Sequence, residues 1–153
     1  LVTETRGLFQ SQGFYSAYKD IEKARESFRD GNFENTITRS ISCVESVIKV
    51  IHENMEQPLP AKKQLTDLWK SCRKILKFDE IDDAGSIQKI LNSLSGLVIQ
   101  SAGLRNSISD AHGRGNLSSQ ASESIAELAI NISATLSTTL IRQYNQIHGE
   151  ENE

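Results

Sequence analysis

The sequence predicts an all-α domain, an antiparallel bundle of about five helices. Three observations carry that prediction. Apolar residues recur at intervals of three and four along most of the chain, and no stretch alternates with the period of a strand. Only two prolines occur, Pro58 and Pro60, so long segments lack the residue that interrupts helical hydrogen bonding. Hydrophobic residues make up 37% and charged residues 24%, which is enough to fill one core and far from a disordered composition.

Residues 1–14 hold scattered apolar positions and two glycines, and read as a tail or lead-in to a domain over 15–148. The first helix follows Tyr15, Tyr18, Ile21, Ala24 and Phe28 along one face, and Asp30-Gly31-Asn32 breaks it with turn chemistry. The second runs from about Glu34 to Met55 on Ile37, Ile41, Val44, Val47, Ile48 and Ile51, and ends before Pro58. The third, from about Lys62 to Leu76, buries Leu65, Leu68, Trp69, Cys72, Ile75 and Leu76. Its opposite side carries Lys70, Arg73, Lys74 and Lys77, either a solvated face or a contact for an RNA backbone.

An acidic connector over residues 79–85 leads to the long fourth helix, Ser86 to about His112, roughly 40 Å at 1.5 Å per residue. Its stripe is Ile87, Ile90, Leu91, Leu94, Leu97, Val98, Leu104 and Ile108. Gly96 and Gly103 share one face, and their helix-propensity cost predicts a neighbouring helix packed closely there. Gly113-Arg114-Gly115-Asn116 stops this helix. The last begins near Ser118 or Ser119 on a face of Ile125, Leu128, Ala129, Ile132, Leu136 and Leu140, and residues 149–153 form an acidic tail.

A net charge of −3 excludes binding of polyanions by the global field, so any nucleic-acid contact must come from a local patch. Cys43 and Cys72 stand alone within predicted helices and read as buried free thiols, as suits a reducing cytoplasm. No apolar run approaches the ~20 residues of a membrane span, so no membrane partner is expected. His52 and His148 have no converging ligands, and no Walker loop, dinucleotide fingerprint or nucleophilic Ser/Cys motif is present; no metal or cofactor is expected. Leu1 is not a methionine and nothing near it resembles a signal peptide, which points to a piece of a longer protein.

The chemistry concentrates in Leu104-Arg105-Asn106-Ser107-Ile108-Ser109-Asp110-Ala111-His112-Gly113-Arg114-Gly115. Arg105 and His112 are seven residues apart, two turns on one side of a helix, roughly 10 Å along its axis. Arginine can hold a phosphate bidentately while charge builds on its oxygens. Histidine can take a proton from a 2′-hydroxyl or return one to a leaving 5′-oxygen. The helix C-terminus near His112 favours the imidazolium, and Gly113 and Gly115 let a ligand approach around Arg114. The same spacing also arises by chance, with Gly113 simply a helix cap and Asn106 a surface amide. Glu45 flanks the second helix's stripe, open between a partner for Arg105, an orienter of His112 and a plain part-buried salt bridge. Arg39 points away from that stripe, towards a dimer interface or solvent.

The strings Leu104-Arg105-Asn106 and Asp110-Ala111-His112-Gly113-Arg114-Gly115 closely resemble the signature of the abortive-infection C-terminal domain family, within the HEPN superfamily of helical domains. The resemblance extends through Asp30-Gly31-Asn32, Arg39, Glu45 and the leucines of the third helix, over roughly residues 30–142. It implies a HEPN-like bundle that dimerises, with the two Arg-His motifs meeting in one cleft. It further implies metal-independent endoribonuclease cleavage, leaving a 2′,3′-cyclic phosphate and a 5′-hydroxyl. Arg105 would stabilise the phosphate, His112 act as acid and base, and Asn106 orient one of them or touch RNA. Independently of the resemblance, the glycine-flanked turn and the basic stripe offer Arg114, Gly113, Gly115, Lys70 and Arg73 as substrate contacts, with Glu45, Arg39 and Asp110 in support. Ser107-Ile108-Ser109 stands where relatives often place a basic residue, and the tyrosine of the branch inactivated by nucleotide transfer is missing. The expectation is an RNase effector of a bacterial phage-defence or toxin-type system, released by a regulatory domain or sensor partner. The alternative is a non-catalytic RNA- or nucleotide-binding or dimerisation module of a multidomain defence protein.

Overall fold

The computed structural model describes the backbone of residues 2–10, 13–81, 85–114 and 121–150, and the side chains of residues 6–10, 13–81, 85–86, 89–107 and 121–149. The described residues are helical and contain no strand. The helices are α1 (Val2–Gln10), α2 (Tyr15–Arg29), α3 (Phe33–Asn54), α4 (Leu65–Ile75), α5 (Ser86–Arg114) and α6 (Glu123–Glu150), with a 3₁₀ turn at Phe78–Glu80 between α4 and α5.

Residues 1–14, expected as a lead-in, contribute a helix. α1 docks because Phe9 and the following Phe14 are fully buried, with Phe14 edge-on to Tyr144 of α6 at 6.0 Å. Nine residues are too few for a helix to hold itself in water, so tertiary contact makes this one. Phe14 also takes the core place expected for Tyr15, which is exposed and lies against Tyr18 and Lys19 instead.

α3 is the central element, packing against α2, α4, α5 and α6. The turn into it is fully specified by local chemistry. Gly31 adopts φ +73°, its N–H reaches Phe28 O, and the Asn32 N–H reaches Ser27 O, which together cap the end of α2. The Asn32 side chain then accepts from the Asn35 N–H at 3.2 Å and starts α3. Asn35 bonds Ser27 while Ser46 bonds Asp20, so α2 and α3 run antiparallel. α6 runs in the same direction as α3: Cys43 meets Ser137, and the ends Asn54 and His148 line one cleft.

The expected stripes of α3 and α4 are inside the protein, with Ile37, Ile41, Val44, Val47, Ile48, Ile51, Leu65, Leu68, Trp69, Cys72 and Leu76 all buried and Ile75 partly so. Besides Tyr15, four positions expected in the core are exposed, Ile90 and Leu97 on α5 and Ile125 and Leu128 on α6. No described atom lies within 4 Å of where a Cβ would stand on Gly96 or Gly103, so the close approach expected there does not occur within the chain. Among its described side chains α5 buries Leu91 and Val98, packs Leu94, Ala102 and Leu104 partly against the core, and leaves Ile90 and Leu97 outward. Contrary to the sequence expectation, α6 is long and apolar enough to cross a membrane by length and composition, with mean hydropathy 1.3 in its most apolar stretch. It packs against α3, with Leu136, Ser137, Leu140, Ile141 and Tyr144 buried, and 39% of that apolar stretch is buried within the bundle.

Candidate functional site

α5 continues without interruption to Arg114, so Arg105 and His112 lie on one helix with His112 close to its C-terminal end. The side chains of Asp110, His112, Gly113 and Arg114, and all of Gly115, lie outside the described residues. What the structure builds in detail is the Arg105 half.

Arg105 stands at the margin of the core, with 23% of its side chain exposed, and its Nη1 lies 2.9 Å from Oε1 of Glu45 on α3, itself 15% exposed. The outward neighbours Asn106 and Ser107 are exposed. Glu45 is placed by the register of α3: Ile41 and Ile48, one turn to either side, are buried, so the carboxylate emerges at the edge of the packed face where α5 passes. Glu45 pairs with Arg105 in a part-buried salt bridge, and the side chain of His112 lies outside the described residues. A guanidinium and a carboxylate half out of water attract more strongly than on an open surface, and each would be costly to leave alone there.

The other expected site residues are not gathered at this point. Arg73 on α4 is 16% exposed and committed elsewhere: its guanidinium bonds Asp79 Oδ1 at 2.8 and 2.9 Å and Ser95 Oγ at 3.0 Å. The same serine hydroxyl accepts from the Trp69 indole N–H at 2.9 Å, so Arg73 locks α4 against α5. Ser95 lies ten residues before Arg105, about 15 Å along the helix, which sets Arg73 apart from the Arg105 region. Lys70 is exposed on the outer side of α4. Arg39 pairs with Asp20 at 3.5 Å, and Asp20 accepts from Ser46 at 2.9 Å; this contact ties α2 to α3 within the chain. Asp79 gave no functional signal in the sequence beyond its place in an acidic connector, yet it fixes the side chain of Arg73.

Among the described residues no three His, Cys, Asp or Glu side chains converge as a metal site. His52 is buried, with Nδ1 3.1 Å from Pro58 O, so it serves the turn that closes α3. Cys43 and Cys72 are buried and free, as the sequence predicts. Burial pushes the Cys43 thiol up to about 12, moderated by the Ser137 hydroxyl, and raises that of Cys72 as well, so neither is a nucleophile. A cleft of about 730 Å³, lined by Glu56, Lys74, Lys77, Glu80 and His148 among others, opens where α3, α4 and α6 end. Asn54 on its rim lies nine residues past Glu45, about 13 Å along α3, so this cleft is separate from Arg105.

Compared with known families, the chain matches the Abi_C family, described as a HEPN-like domain, over residues 16–144. It is a HEPN-like domain of that family. The match spans α2 through most of α6, so the HEPN-like unit includes the Glu45–Arg105 pair and the whole of α5; only α1 and the last residues fall outside it. No curated protein and no solved structure matches the chain.

Proposed function

We propose that this HEPN-like domain is a metal-independent endoribonuclease, the effector part of a bacterial phage-defence or toxin-type system. The observation that carries the reading is a half-buried arginine held at the core margin, two turns before a histidine on the same helix, in a chain of the HEPN-like family. Arg105 neutralises the phosphate as charge builds in the transition state. His112 moves the proton: it takes one from the 2′-hydroxyl, which attacks phosphorus and expels the 5′-oxygen, leaving a 2′,3′-cyclic phosphate. The helix C-terminus beside it favours the imidazolium that donates to the leaving oxygen. Asn106, exposed next to Arg105, contacts the RNA. The working unit is a homodimer that brings two such motifs into one cleft. The apolar side chains left on α5 and α6, Ile90, Leu97, Ile99, Ile125 and Leu128, support that assembly. We place the reaction in the cytoplasm, under control of a sensor partner or regulatory domain.

The test is cleavage of end-labelled tRNA and mRNA in EDTA by the parent protein, Arg105→Ala and His112→Ala. Cleavage by the parent with cyclic-phosphate ends, reduced at least ~100-fold in each variant, is the expected result. RNA bound but uncut by the parent, in both this chain and any longer natural form, would favour a binding or dimerisation module. The unpaired apolar side chains of α5 and α6 are the observation behind that second reading.

A further inference from the structure

Arginine side chains near a surface sample many rotamers, and a phosphate-binding arginine that wanders spends binding energy on being ordered. Arg105 has a fixed partner. Glu45 sits on α3, the helix that every element from α2 to α6 except the 3₁₀ turn touches, and its neighbours Val44, Val47 and Ile48 are buried. A carboxylate on that helix, 15% exposed and 2.9 Å from Nη1, ties the guanidinium to the most strongly packed element in the protein.

We infer that Glu45 is a positioning residue, which holds Arg105 in the orientation that meets the scissile phosphate. The inference rests on the RNA-cleavage reading above and adds to it a specific division of labour between two helices. Glu45 touches neither substrate nor reacting atoms. The carboxylate also lowers the positive potential at the site, so it weakens phosphate attraction while it improves alignment. Those two effects separate in kinetics. Loss of alignment lowers kcat, whereas loss of a nearby negative charge lowers KM or leaves it unchanged.

The experiment compares the parent with Glu45→Gln, Glu45→Asp and the control Glu53→Gln, which removes an exposed carboxylate from the same helix. Glu45→Gln is expected to lower kcat by ~10–100-fold with KM equal to or below the parent's, as for a misplaced catalytic group. Glu45→Asp, which keeps the charge, recovers part of kcat, and Glu53→Gln matches the parent. Unchanged or increased kcat in Glu45→Gln overturns the inference and makes Glu45 a brake on Arg105. If neither the parent nor any longer natural form cuts RNA, the cleavage reading fails, and the pairing is read by the ¹⁵N-edited signal of the Arg105 side chain instead. A slowly exchanging Nε–H in the parent that broadens in Glu45→Gln upholds the positioning, and identical spectra overturn it.

Discussion

Cys43 and Cys72 show how burial alone decides the chemistry of a residue. Each lies in a helix face packed against another helix, and desolvation of the thiolate raises both thiols above the ordinary value of 9.0. Neither thiol in the folded protein should react with iodoacetamide at pH 8 on a time scale of minutes, and both should react in denaturant, which mass spectrometry checks. A raised folded-state value also has a consequence for stability. Above the ordinary thiol range the unfolded chain releases protons that the folded chain keeps, so this contribution is intact below about pH 8.5 and falls as pH climbs towards 12. Urea midpoints at pH 7, 9 and 10 should therefore decrease in that order. A Cys43→Ala, Cys72→Ala variant should show a shallower decline.

Helix ends are where individual residues set element boundaries. α3 is closed by the same hydrogen-bond pattern that closes α2: Glu56 N–H to Glu53 O and Gln57 N–H to His52 O. The residue in the left-handed position is Gly31 after α2 but Glu56, at φ +52°, after α3. A side chain there costs about 1 kcal/mol that glycine avoids. Glu56→Gly should therefore stabilise the protein by about 1 kcal/mol and raise Tm by ~2–4 °C, while Asn32→Ala, which removes the cap of α3, should lower it by a similar amount. Differential scanning calorimetry on both variants checks the pair; equal Tm values would mean that neither end limits α3.

At the scale of the whole molecule, the bundle is complete around α3 and incomplete on the outer side of α5 and α6. Ile90, Ile99 and Leu128 are each about half exposed or more, and an apolar groove of about 170 Å³ between Leu94, Leu97, Ile132 and Leu136 separates the two helices. Gly96 and Gly103 face open space within the chain. If a second copy covers this side, Ile99→Glu combined with Leu128→Glu should give a monomer by light scattering, with Tm nearly unchanged because neither side chain is in the core. RNA cleavage should fall with dimerisation. A dimer unaffected by both changes would place the interface elsewhere.

Much of this protein was decided by local sequence, because helical periodicity, the Asp30-Gly31-Asn32 turn and Pro58 act over a few residues and need no distant partner. Those signals predicted the helices, the buried faces of α3 and α4, and the spacing that puts Arg105 and His112 on one side of α5. They also placed Glu45 at the edge of its face, open among three roles. Tertiary structure decided the rest. It turned residues 2–10 into a helix through two buried phenylalanines, withdrew Arg73 and Arg39 from the expected site by pairing them with Asp79 and Asp20, and brought Glu45 to Arg105 across sixty residues of chain. Within the stripes of α5 and α6, Leu91, Val98, Ala129, Leu136 and Leu140 are buried as expected, while Ile90, Leu97, Ile125 and Leu128 are not. Periodicity reports an apolar face, but only the packing of neighbours determines how much of it is covered. A charge likewise announces itself in sequence, whereas its partner depends on which helices meet.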